Sequence, residues 1–123
     1  MNSYLNMISE KLPALGARLP GSEAHRLART LLVTCLRELN LQPGNEGEWL
    51  QPIVESSGKV VGHNIIGIIP GKTDKYILLI AHYDTVENSP GADDNAAALA
   101  PFTMCHNGWW RGLCHIQRGQ KYP

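Results

Sequence analysis

Apolar residues recur at helical spacing in two segments near the start of the chain. Residues 4–12 predict a short amphipathic helix that ends at Pro13. A longer segment follows Ser22, whose short polar side chain suits a helix N-cap. Its apolar positions recur every three or four residues: Ala24, Leu27, Ala28, Leu31, Cys35 and Leu39. We expect this segment to be a surface helix that packs on a flat partner and closes at Asn40.

Three stretches rich in apolar and β-branched residues predict strands. Residues 48–54 are expected to be an edge strand, because Pro52 cannot donate a ladder hydrogen bond. Val60–Ile69 is β-branched and ends at a Pro-Gly turn. Residues 76–81 form a continuous apolar run, typical of a strand buried on both faces of a parallel sheet. A helix followed by these strands predicts α/β layering.

The last quarter of the chain does not continue this pattern. A helix should begin at residues 96–100, but Pro101 removes a backbone donor in its second turn. Residues 105–115 show neither a helical nor a strand period. We therefore expect the sequence that specifies the fold to stop near residue 100, and we treat residues 101–123 as an aberrant tail.

Composition and charge narrow the classes of protein. The chain has 123 residues, 43% of them hydrophobic, and eleven basic against eleven acidic residues, which suits one globular domain. The balanced charge gives no reason to expect nucleic acid or an anionic membrane as partner. No apolar run approaches the roughly 18–20 residues that span a bilayer, and no signal peptide is recognisable. Three cysteines do not suggest a disulfide framework, so we expect a reduced cytoplasmic protein.

Charge is nevertheless uneven along the chain. Residues 1–100 carry eight Lys and Arg against eleven Asp and Glu, a net charge of −3. The tail carries three basic residues and no carboxylate, a net charge of +3. This contrast is a second reason to separate the tail from the rest.

Two candidate chemical groups directly follow the apolar run 76–81. His82 and Asp84 are two positions apart, so in extended backbone their side chains leave on the same side. A carboxylate beside an imidazole can hold one ring nitrogen while the other nitrogen binds a metal ion. Ligands in open α/β sheets bind outside the carboxyl ends of strands. A solvated strand end explains the same residues, so this pair alone is weak evidence.

A second polar cluster lies a short loop further on. Asp93, Asp94 and Asn95 follow a Pro-Gly turn at a predicted helix start. Acidic residues at helix N-termini are usually caps, favoured by the helix dipole. Asp94 comes only twelve residues after His82, however, and a loop of that length can bring the two side chains together.

These motifs resemble a known family. His82-Tyr83-Asp84, with residues 90–96 (Pro-Gly-Ala-Asp-Asp-Asn-Ala), is similar to the two-zinc, co-catalytic aminopeptidases that include leucyl aminopeptidases. Residues 16–22 resemble the family's opening Gly-x-Arg-x-Pro-Gly-Ser segment, and residues 64–71 one of its strands. The resemblance runs in order over about residues 4–100. It implies a three-layer α/β/α fold with a mixed, mostly parallel sheet, present here only as its N-terminal part.

The resemblance also implies roles for individual residues. His82 would ligate one zinc ion, Asp94 would bridge two zinc ions, and Asp84 would orient His82 as part of the catalytic machinery. Asp93 would not be a ligand. Two zinc ions would clamp a water or hydroxide as the nucleophile. The expected reaction is hydrolysis of a peptide substrate, with release of its N-terminal amino acid.

Several residues that the family needs have no counterpart here. They are a paired glutamate that supplies general base and zinc ligand, an acidic ligand of the second metal, and a late histidine. After Asp94 the sequence contains no Asp or Glu, and His106 and His115 come too early to match the histidine. We expect a catalytically inactive N-terminal half that binds zinc at most weakly. A frameshift, premature stop or alternative exon is our hypothesis for the tail.

Other interpretations remain open beside this one. The fold could serve as a non-catalytic interaction module, or as a related zinc amide hydrolase or cyclase. An unfinished sheet would leave the strand at residues 76–80 with an exposed apolar edge and favour self-association. We interpret Arg18 as structural and His63 as a local polar contact, and we place His25 on the polar side of its helix.

Overall fold

The computed structural model describes residues 10–71, 76–91 and 111–117. Within these ranges the chain forms two helices and five strands. Their bounds are α1 (Leu12–Ala14), α2 (Glu23–Glu38), β1 (Gln42–Pro43), β2 (Leu50–Val54), β3 (Val60–Ile69), β4 (Tyr76–His82) and β5 (Arg111–Gln117). Most of the helix predicted for residues 4–12, and the helix start predicted at residues 96–100, lie outside the described residues. No helix in the described ranges is long and apolar enough to cross a membrane.

Helix α2 begins and ends at the residues that the sequence predicts. The Ser22 hydroxyl accepts a hydrogen bond from the backbone N–H of His25 at 3.1 Å, which satisfies one of the free donors at the helix start. Asn40 adopts the left-handed conformation (φ 63°) that commonly closes helices, and its N–H donates to the carbonyl of Arg37. The predicted caps are confirmed.

The strands form one mixed sheet in the order β1-β3-β5-β4, with β2 also paired to β3. The predicted bounds of β3 are confirmed, and β4 extends one residue further than predicted. Of the four described pairings only β4–β5 is parallel. The mixed sheet is thus confirmed, but its described part is mostly antiparallel rather than mostly parallel. For β2 and β3 the reason is their tight turn, closed by a hydrogen bond from Glu55 N–H to the Lys59 carbonyl, since short turns join only antiparallel strands.

Strand β5 lies where the sequence analysis expects no regular structure. Arg111–Gln117 pairs antiparallel with β3 and parallel with β4, so the expectation is wrong for these residues. Pairing on both sides satisfies backbone donors and acceptors of β3 and β4 that would otherwise need water. The division of the chain at residue 100 and the origin of the tail stay predictions.

The hydrophobic core lies between α2 and one face of the sheet. Its buried members come from both helices, the sheet and the segments that follow α2 and β4: Leu12, Ala28, Leu32, Cys35, Leu36, Leu39, Leu41, Ile65, Ala81 and Tyr83. Gly67 of β3 permits close packing here, because a Cβ at this position would lie 2.9 Å from the Leu41 side chain. On the opposite face of β4, Leu78 and Ile80 are 44% and 53% exposed. The prediction that this strand is buried on both faces is therefore wrong.

Truncation of Leu32 tests this core. Leu32 is fully buried, so Leu32→Ala should lower the free energy of unfolding by about 2–5 kcal/mol through lost burial and a residual cavity. Leu27→Ala is the matched control, because Leu27 lies on the same helix but is 38% exposed; its cost should stay below about 1 kcal/mol. Urea unfolding followed by circular dichroism measures both. Equal losses in the two variants would contradict the described orientation of α2.

Candidate functional site

The candidate site lies at the carboxyl end of β4, where side chains alternate between the two faces of the sheet. Ala81 is buried toward α2, and Tyr83, just after the strand, is buried as well. His82 takes the alternate position, shared along the strand with the exposed Leu78 and Ile80. The strand therefore anchors itself through one set of residues and presents the candidate ligand on the other face.

His82 and Asp84 are in direct contact. The Nδ1 atom of His82 lies 3.1 Å from a carboxylate oxygen of Asp84 and 3.2 Å from the Asp84 backbone carbonyl. A backbone carbonyl oxygen only accepts hydrogen bonds, and so does the oxygen of an ionised carboxylate. In these contacts Nδ1 therefore carries the proton and donates it. In the neutral ring the lone pair then sits on Nε2. This is the tautomer that a histidine needs to bind a metal ion through Nε2.

The loop that follows β4 is held by a buried arginine. Arg18 is fully buried, and its Nε–H donates to the Tyr83 carbonyl at 2.8 Å. Its terminal nitrogens donate to the Pro90 carbonyl at 2.6 Å, the Gly91 carbonyl at 3.2 Å and the Leu12 carbonyl at 3.1 Å. A single guanidinium thus joins the two ends of the loop at residues 83–91 and ties both to Leu12, the first residue of α1.

The backbone of Arg18 adds a second link to the same loop. Its N–H donates to the Thr85 hydroxyl at 2.6 Å, and its carbonyl accepts from the Thr85 N–H at 3.1 Å.

Burial lowers the pKa of the Arg18 guanidinium from its ordinary value, while the nearby Asp84 carboxylate acts in the opposite direction. The guanidinium nevertheless stays charged, because arginine does not lose its proton in proteins. The interpretation of Arg18 as structural is confirmed by these contacts.

Tyr83 fastens the loop to the core. Its ring stacks on His25, with centroids 4.3 Å apart and planes 5° from parallel, and its hydroxyl donates to the His63 carbonyl at 2.8 Å. His25 is only 1% exposed, so its predicted position on the polar side of α2 is wrong. A signal was present: His25 precedes the buried Ala28 by three positions and the buried Leu32 by seven, which is the spacing of one helix face.

His63 lies on β3 beside this cluster. Its Nδ1 atom is buried and has no hydrogen-bond partner among the described residues. Burial lowers the pKa of His63 from its ordinary value, and the positive charge of Arg29 lowers it further. The hydroxyl of Tyr83 meets the backbone of His63 rather than its ring. The predicted local polar contact is therefore made by the backbone at this position.

The described residues include one candidate metal ligand and the carboxylate that would orient it. No group of three or more His, Cys, Asp or Glu side chains in the described ranges is arranged to hold a metal ion. His82 with its carboxylate-held Nδ1 fits one ligand and the group that orients it. The predicted bridging ligand Asp94 and its neighbour Asp93 lie outside the described residues. Their roles stay predictions.

One protein-family model and several solved structures are similar to this chain. The model of peptidase family M28 matches residues 64–104, a segment that includes β4, His82 and Asp84. No curated protein matches the chain significantly. The fold is similar to that of Porphyromonas gingivalis glutaminyl cyclase, with a TM-score of 0.72, 20% identity and coverage of 99% of this chain and 49% of that one.

Two peptidase structures are similar to a comparable degree. One is a leucine aminopeptidase precursor from Bacteroides thetaiotaomicron, with a TM-score of 0.70, 18% identity and coverage of 93% of this chain and 44% of that one. The other is a Zn-dependent exopeptidase from Parabacteroides distasonis, with a TM-score of 0.70, 18% identity and coverage of 94% and 45%. The chain thus spans just under half the length of the structures it resembles. At this level of identity the similarity establishes the fold.

Acid should weaken the folded state through His63. Because the pKa of His63 is lower in the folded chain than its ordinary value of 6.5, the unfolded chain takes up this proton first. The stability that the neutral His63 side chain contributes is therefore complete well above pH 6.5 and is lost as the pH falls below that value. His63→Gln cannot titrate, so the free energy of unfolding of the unaltered chain minus that of the variant should decrease between about pH 7.5 and about pH 5. Urea unfolding at both pH values measures this difference, and a constant or increasing difference would contradict the described environment of His63.

Proposed function

We propose that the chain carries part of a zinc-dependent metallopeptidase site that hydrolyses the N-terminal peptide bond of a peptide. The observation that carries the proposal is the contact between His82 Nδ1 and Asp84 at the carboxyl end of β4. This contact selects the tautomer that a zinc-binding histidine requires, at the strand end where α/β folds bind ligands. The match to peptidase family M28 over residues 64–104 and the fold of the Zn-dependent exopeptidase support the proposal.

In this proposal each residue has a distinct task. His82 holds a zinc ion through Nε2, Asp84 keeps the ring oriented and its Nδ1 protonated, and Asp94 is the second ligand and the bridge to another zinc ion. Bound zinc supplies Lewis-acid activation of a water molecule and of the peptide carbonyl. The loop at residues 83–91 keeps Asp84 beside His82, because Arg18 and Tyr83 fasten it to the core.

The 123 residues alone are proposed to be inactive. No Asp or Glu follows Asp94, so these residues offer no counterpart to the family's general-base glutamate or its further acidic ligands. A catalytic zinc ion usually has three protein ligands and one open position. His82 and Asp94 provide two ligands between them, which supports weak binding without turnover.

A second candidate function is intramolecular amide chemistry at the N-terminus of a peptide. The structural similarity to Porphyromonas gingivalis glutaminyl cyclase favours this candidate as much as the similarity to peptidases favours hydrolysis. Both reactions can use the same His82–Asp84 pair. Any turnover of a peptide that begins with glutamine would distinguish them, because cyclisation expels ammonia and retains the residue whereas hydrolysis releases the residue. A non-catalytic interaction module on the same fold would not bind zinc.

Zinc titration of the metal-free chain tests the proposed function. Calorimetry should show micromolar or weaker binding that His82→Ala abolishes, and Asp84→Asn should weaken it by about tenfold because the carboxylate no longer orients the ring. His63→Ala is the matched control, a partly buried histidine of β3, which β5 separates from β4, and it should leave binding unchanged. An aminoacyl-anilide assay on the same sample should show no turnover.

Two results would overturn parts of this proposal. Sub-micromolar binding lost in His82→Ala, together with turnover, would mean that the tail or a second chain supplies ligands, and the proposed inactivity would be wrong. Zinc binding unaffected by His82→Ala would remove the proposed metal site itself.

We also propose that the chain self-associates through β4. Leu78 and Ile80 are exposed on this strand, and β4 has one partner, β5, among the described strands. A second copy could pair with the other edge of β4 and extend the sheet, and a charged side chain on β4 would oppose that pairing. Sedimentation velocity over rising protein concentration should show a dimer that Ile80→Lys weakens. Val54→Lys, at an equally exposed position of β2, should leave it intact; equal effects of both changes would contradict an interface at β4.

A further inference from the structure

Arg18 has an unusual environment for a charged side chain. It is fully buried, and the hydrogen bonds of its guanidinium go to backbone carbonyls. Burial of a charge carries a large desolvation cost, and an apolar side chain of similar volume would fill the same space at a lower one. Packing alone therefore does not account for an arginine here, whereas the need for several donors in fixed directions does.

The carbonyls that accept hydrogen bonds from the Arg18 guanidinium include both ends of the loop at residues 83–91. The Tyr83 carbonyl belongs to the residue between His82 and Asp84, and it accepts from Nε. The carbonyls of Pro90 and Gly91 lie at the far end of the loop and accept from the terminal nitrogens. Since the guanidinium is planar and rigid, it holds these two chain segments at a set separation.

We propose that Arg18 is a positioning residue that holds His82 and Asp84 in the geometry that zinc binding requires. The inference rests on the proposed function, in which His82 is a zinc ligand and Asp84 orients it. Arg18 acts through the backbone of the loop, because its Nε–H donates to the carbonyl of Tyr83, the residue between these two. Without the donors of Arg18, the carbonyls of Tyr83 and Gly91 would have to find other partners, and the contact between His82 and Asp84 would loosen.

Lysine should not replace arginine in this role. Its ammonium group keeps the positive charge but lacks the planar arrangement of donors that reaches carbonyls at both loop ends. Arg18→Lys should therefore weaken zinc binding by about tenfold, the lower end of the effect seen for groups that orient metal ligands. Thr85→Val, which removes the hydroxyl that accepts from the Arg18 N–H, is a milder change to the same anchor and should act in the same direction.

The experiment combines zinc calorimetry with nitrogen-15 NMR of the histidine rings in the metal-free chain, at a pH where they are neutral. In the unaltered chain the His82 ring should show protonated Nδ1 and unprotonated Nε2. Arg18→Lys and Thr85→Val should both weaken zinc binding and shift this pattern toward a mixture of tautomers. Leu32→Ala controls for loss of stability, because it opens the core without removing a loop hydrogen bond. Thermal unfolding of all variants shows that each is folded at the temperature of the titration.

The outcomes separate the two proposals. Unchanged zinc affinity and an unchanged His82 ring spectrum in both Arg18→Lys and Thr85→Val would overturn the role of Arg18 and leave the proposed function standing. An equal loss of affinity in Leu32→Ala would also overturn it, since instability alone would then explain the effect. Absence of zinc binding in the unaltered chain would overturn the proposed function and, with it, this role.

Discussion

The buried guanidinium of Arg18 is the constraint around which the candidate site is organised. A charge that water cannot reach must have hydrogen-bond acceptors, and backbone carbonyls at both ends of the β4 loop provide them. This requirement couples segments that are distant in the sequence, because the connector before α2 can reach its low-energy position only when the loop after β4 is in place. The carboxylate of Asp84 lies near the guanidinium and favours its charged form. The group that orients His82 therefore also stabilises the buried cation.

Along β4 and just after it, side chains that anchor the chain to the core alternate with the candidate zinc ligand. Ala81 and Tyr83 pack toward α2, whereas His82 takes the alternate position between them. The stacking of Tyr83 on His25 and its hydrogen bond to β3 hold the backbone directly after the candidate ligand. A change at Tyr83 would thus alter the position of His82 without touching it.

Local signals in the sequence were sufficient for some features. The spacing of two between His82 and Asp84 predicted their contact, Ser22 and Asn40 predicted the ends of α2, and β-branched composition predicted β3. Features that depend on distant partners were missed. The spacing of His25 places it on the buried face of α2, but its polar ring argues against a core position until Tyr83 stacks on it. Strand β5 lacks a recognisable period, and its pairing with β3 and β4 is a non-local choice. The metal-binding role of His82 and the roles of Asp93 and Asp94 rest on resemblance and stay predictions.

The position of β5 between β3 and β4 has a consequence for how the chain folds. The β2–β3 hairpin needs only a short turn and can form early, whereas Ile65 of β3 pairs with Ile116 about fifty positions later, so this contact closes a long loop. The conformational entropy of that closure must be lost before the pairing stabilises anything. On a ribosome, residues 10–91 are therefore synthesised before the central strand of the described sheet. Until β5 follows, the edges of β3 and β4 that it will pair with lack their partner, and pairing with another chain becomes a hazard that a more local order of strands would avoid.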